Sequence, residues 1–164
     1  MTDDLIDIDV QTPKRRITDP AEALAALERA VPGLADHRRP APAPLDWALV
    51  EESLGTTLPS DYKHLAERYA SFVIGDYFHV GLPEPGGEQL WLRGLLPWAD
   101  SHNGDQSVWS TAGETPQQWF VTVAGRGGAW WHYEGGAVQF LAELCDGTVE
   151  PWGLCLFDPE VTPC

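Results

Sequence analysis

The stretch Trp47-Ala48-Leu49-Val50-Glu51-Glu52-Ser53-Leu54-Gly55-Thr56-Thr57-Leu58-Pro59-Ser60-Asp61-Tyr62 decides the fold, because it spells two helices and the stop between them. Asp46 is placed to cap the first helix by accepting a backbone N–H, and Trp47, Val50, Glu51 and Leu54 then share one face at helical spacing. Gly55 ends that helix, since glycine takes the left-handed conformation at C′ without steric cost. Leu58-Pro59 opens the second helix, where proline's missing N–H goes unneeded, and Tyr62, Leu65, Ala66 and Tyr69 form its inner stripe. The spacing turns Glu51 inward between Val50 and Leu54, where an ionised carboxylate is costly unless hydrogen-bonded. It is expected to accept from the free N–H groups opening the second helix or from the Tyr62 hydroxyl, a position the helix dipole favours. No second acid, histidine or nucleophile accompanies it locally, so Glu51 reads as a structural clasp and not a catalytic carboxylate.

Upstream, Asp19-Pro20 supplies an N-cap and a first residue for a helix lined by Leu24, Leu27 and Val31 and ended by Pro32-Gly33. Residues 1–18 read as a flexible tail or an edge strand, with Ile6, Ile8 and Val10 alternating with Asp7 and Asp9. Arg38 to Pro44 is a stiff, proline-rich connector. Downstream the period shortens to β runs at residues 72–74, 77–80, 90–92, 108–109, 119–123 and 130–133, separated by turn residues such as Pro85-Gly86-Gly87 and Gly125 to Gly128. Residues 137–144 return to helix, with Val138, Leu141 and either Phe140 or Leu144 inward. Residues 149–157 offer one more short strand or an irregular tail. The expected fold is α+β: N-terminal helices packed on a central twisted antiparallel sheet of about five or six strands, with a closing C-terminal helix and residues 19–164 forming a single domain.

The chain of 164 residues, 43% hydrophobic, is long and apolar enough to bury a core without staples. Residues 41–164 hold seventeen acids against Lys63, Arg68, Arg93 and Arg126, a net charge of -13. Such a surface repels nucleic acid and anionic membranes and speeds encounter with a basic protein. No apolar run is long enough to span a bilayer and the N-terminus is acidic, so the expected location is the cytoplasm. Cys145, Cys155 and Cys164 lack the paired spacing of a zinc or redox motif and read as reduced thiols. Of the eight tryptophans, Trp47, Trp98, Trp109 and Trp119 are expected in the core. Trp130 and Trp131 must point to opposite faces of a strand, so unless both faces of the sheet are covered one of them meets solvent or a partner.

The motif at residues 47–62 resembles the signature of the SUKH superfamily, the Smi/Knr-like domains related to fungal cell-wall-assembly regulators and bacterial toxin-immunity proteins. Leu95-Leu96-Pro97-Trp98, then Asn103-Gly104-Asp105 and Trp109, are similar to its second block, and Phe140-Leu141 after Gly135-Gly136 is similar to its closing helix. The likeness runs from near Asp19 to near Asp158. The chain departs from the pattern at Tyr69-Ala70-Ser71-Phe72, where a glycine-containing turn is usual, and at the unusually aromatic Trp130-Trp131. The structural motif residues are then Trp47, Glu51, Leu54, Gly55, Leu58, Pro59, Tyr62, Trp98, Asn103, Gly104 and Trp109. The resemblance implies an immunity protein that binds and occludes a cognate toxin domain, basic in charge and in some cases a nuclease. The second implied role is a non-catalytic regulatory or scaffolding module. Partner contacts are expected from Asp100, Asp105, Glu114, Trp130, Trp131 and Glu134, with no cofactor and no metal; the oligomeric state is left open.

An enzymatic reading would need Asp100, His102 and Asp105 to hold a metal. The same residues, with Asn103 and Gly104, read more simply as an Asx-type turn in which Gly104 takes a positive φ. No nucleophile elbow or triad order is present. Gly125-x-Gly127-Gly128 precedes a strand and so offers no helix N-terminus for a phosphate. The chain is therefore expected not to be an enzyme.

Overall fold

Local capping makes the helices where the sequence places them. In the computed structural model, which describes residues 9–83, 96–110, 115–154 and 158–163, α1 (Pro20–Ala30) is capped by Asp19, whose carboxylate accepts the Ala21 N–H. Helix α2 (Trp47–Leu54) is capped by Asp46, which accepts the Leu49 N–H, and ends at Gly55 with φ 74°. Helix α3 (Ser60–Arg68) follows Pro59 and buries Tyr62, Leu65 and Ala66. Glu51 is the clasp between α2 and α3, and of the two expected donors it takes the N–H at the opening of the second helix and not the Tyr62 hydroxyl. It accepts the Leu58 N–H at 2.7 Å and pairs with Lys63 at 3.2 Å, while the Tyr62 hydroxyl donates to the Gly81 carbonyl at 2.7 Å. The carboxylate thus takes the last N–H before Pro59, which no helix would satisfy.

The sheet corrects the expectation. Among the described residues it has eight strands, not five or six, and it is mixed: β1 (Asp9–Gln11) runs parallel to β7 (Trp130–Tyr133) at one edge. The order continues β6 (Phe120–Ala124), β5 (Gln106–Ser110), β4 (Leu96–Ser101), β3 (Phe78–Val80), β2 (Phe72–Ile74) and β8 (Val161–Pro163), all antiparallel. Strands β1 and β8 are three residues each, too short to show alternation, and their pairing is decided by distant partners. The late strand lies at Val161–Pro163, whereas Val149 to Leu154 form turns. Strand β4 carries Pro97, which weakens a strand reading from sequence; a register shift between Pro97 and Ala99 accommodates it and lets consecutive Trp98 and Ala99 both be buried. The strand expected at 90–92 lies outside the described residues.

Helices α1, α3 and α4 (Ala137–Asp146) pack together on one face of the sheet. Helix α4 is buried nearly all round, Phe140 and Leu144 both included. Phe140 meets Trp98, Trp131 and Tyr133 with ring centroids 5.4–6.1 Å apart, and Trp109 meets Tyr62 edge-on at 4.8 Å. Removing the Phe140 ring would cost about 3–5 kcal/mol. Trp98, Trp109 and Trp119 are core residues as expected, while Trp47 is only partly buried and donates its indole N–H to Glu67.

Candidate functional site

The face of the sheet opposite the helices carries one continuous row of cross-strand neighbours. Thr162, Val73, His79, Asp100, Gln106, Ala124 and Trp130 follow each other in register across seven strands. With strands about 4.8 Å apart, Asp100 and Trp130 stand about 14 Å from each other. Five of the seven are exposed, Trp130 by 44%. The row contains no lysine or arginine. His79 Nδ1 meets Asp100 Oδ1 at 3.0 Å in solvent, where such a pair adds little stability. Shallow grooves of about 560 and 460 Å³ flank that pair, one reaching Tyr62 and Trp98, the other Asp76 and Thr162.

The structure separates the predicted contact residues. Asp100, Trp130 and Glu134 are exposed; Glu134 accepts from the Thr12 hydroxyl. Trp131 is turned into the core, 2% exposed, and its indole donates to the Trp152 carbonyl. Asp105 is also buried. Its carboxylate accepts from the Ser101 hydroxyl at 2.7 Å, the Tyr77 hydroxyl at 3.3 Å and the Arg126 N–H at 2.8 Å, so it ties the β4–β5 turn to the β6–β7 turn and has no surface to offer a partner. Glu114 lies outside the described residues. Gly104 has φ 94° and donates to the Ser101 carbonyl, as the turn reading requires. Among the described residues no group of three or more His, Cys, Asp or Glu side chains is arranged to hold a metal, and no helix is long and apolar enough to cross a membrane.

A second concave feature, absent from the sequence reading, lies where the start of α3 and the residue before α4 meet the sheet. A cavity of about 110 Å³ is lined by Arg16, Ser60, Asp61, Trp109, Gln117 and Trp119, among others. Asp61 accepts the Tyr62 N–H at 2.8 Å and the Val138 N–H at 3.1 Å, so a residue of α3 caps α4, whose own N-cap, Gly136, has no side chain. Burial raises the Asp61 carboxyl above its ordinary range, outweighing those two N–H groups and the Arg16 charge. Arg16 donates to the Gln117 and Trp119 carbonyls at 2.8 and 2.7 Å. The buried indole N–H of Trp109 has no hydrogen-bond acceptor among the described residues, an arrangement that costs about 1–3 kcal/mol. Only a long-range contact joins Asp61 to Gly136, so no local spacing signals it. The chain matches no protein-family model, no curated protein and no solved structure.

Proposed function

We propose that the chain is a toxin-immunity protein of the SUKH type, which binds a basic toxin domain in the cytoplasm and occludes it without catalysis of its own. The observation that carries this reading is the row from Thr162 to Trp130, which no helix covers among the described residues: exposed at five of its seven positions, free of lysine and arginine, and ending in a half-exposed tryptophan. The net charge of -15 supports a basic partner by steering its approach. Trp130 is suited to set the lifetime of the complex, and Asp100 the rate of encounter.

The test is binding to a panel of basic toxin domains, with rescue of cells expressing them. One domain should bind tightly and in a salt-sensitive way. Trp130→Ala should weaken that complex by at least about 2 kcal/mol, roughly 30-fold, mainly through faster dissociation. Its melting temperature should be little changed, because the ring is exposed. Asp100→Asn should slow association. Weak binding to several unrelated proteins would favour a scaffolding role instead, and tight toxin binding indifferent to Trp130→Ala would remove this face from the reading.

A further inference from the structure

We infer that the cavity between Arg16 and Asp61 is a binding site for a small zwitterion, a free α-amino acid held by its ammonium on Asp61 and by its carboxylate on Arg16. This is independent of the toxin-binding face, which lies on the other side of the sheet. Asp61 and Arg16 both line the cavity, and among the described residues they form no ion pair with each other. Each keeps unused capacity. The Asp61 oxygens accept one backbone N–H apiece, and a carboxylate offers about four acceptor positions. One terminal nitrogen of Arg16 serves two carbonyls, leaving the rest of a guanidinium with about five N–H donors.

The opposite charges rule against simpler ligands. A plain cation would satisfy Asp61 but meet Arg16, and a plain anion the reverse. A group bearing both charges, separated by one carbon, satisfies each wall. Size sets the class: about 110 Å³ equals the share of roughly four waters, room for about five to seven non-hydrogen atoms, which fits glycine, alanine or serine and excludes a nucleotide. Trp109 and Trp119 supply apolar walls. Exposed Thr18 and Gln117 are on the rim, so the cavity is reached from solvent.

The experiment is isothermal titration of the full chain with glycine, L-alanine and L-serine, alongside ethylamine and acetate as single-charge probes. Saturable one-to-one binding of at least one amino acid is expected, with ethylamine and acetate at least tenfold weaker. Asp61→Asn and Arg16→Gln should each weaken it at least tenfold. Because Asp61→Asn also touches the α4 cap, circular dichroism checks its fold, and the probe series on the unaltered chain stands without either variant. No saturable binding by any of the three amino acids would overturn the inference. So would ethylamine binding as tightly as alanine and unaffected by Arg16→Gln, since that result assigns the cavity to a cationic side chain.

Discussion

Gly136 is glycine because of what lies beside it and not because of its backbone angles, and this can be tested by a double substitution. Its φ of -73° is open to any residue, but a Cβ there would sit 2.6 Å from Asp61 Oδ2 and 3.4 Å from its Cγ. Asp61 cannot simply turn away, since its two oxygens hold the Tyr62 and Val138 N–H groups. Gly136→Ala therefore forces overpacking, about 1–3 kcal/mol, and loosens the cap of α4, about 1 kcal/mol more. For a chain of this length that is roughly 4–12 °C in melting temperature. Asp61→Ala removes the acceptor and should cost about 1–2 kcal/mol. In that background the added Cβ has room, so the double variant should be about 1–2 kcal/mol more stable than the sum of the single losses predicts. Urea titrations followed by circular dichroism, with unchanged m, measure all four corners. Costs that add to within about 0.5 kcal/mol would refute the close approach as the reason for glycine.

Three further outcomes follow from single contacts. Glu51→Gln keeps an acceptor for the Leu58 N–H but loses the Lys63 pair, so it should cost about 1–2 kcal/mol in urea denaturation; an unchanged midpoint would deny the clasp. Burial lowers His132 from its ordinary 6.5, with Glu134 opposing. The unfolded chain then binds the proton first, so this histidine's effect is absent well above 6.5 and stability is lost as pH falls below it; His132→Gln should flatten that part of the melting-temperature profile between about pH 7 and pH 5.5. Burial, with Asp146 adding to it, pushes the Cys145 thiol up to about 12, so alkylation read by peptide mapping should be slow in the native chain and fast in denaturant.

What was legible in the sequence is what depends on near neighbours. Asp19, Asp46 and Gly55 cap or stop helices within a turn of themselves, and the Tyr62, Leu65, Ala66 stripe is set by a 3.6-residue period. Alternation along β7 required Trp130 and Trp131 to part company, but which one faced α4 depended on register against β6, which spacing does not encode. Asp105 looked like a surface acid because its three donors, Ser101, Tyr77 and Arg126, come partly from other turns. The parallel β1–β7 pairing and the capping of α4 by Asp61 join residues more than seventy positions apart, and neither leaves a local trace.

The two rims of the sheet carry a temporal consequence. One rim, β1, is translated long before β7, the strand it pairs with among the described residues, and Gln139 of α4 holds the following segment by accepting the Ile17 N–H and donating to the Arg15 carbonyl. A nascent chain must therefore keep its leading segment undocked until residues beyond 139 have left the ribosome, and closure of that rim should be a late, slow event governed by chain-loop entropy. At the opposite rim β2 waits in the same way for β8, made almost ninety residues later.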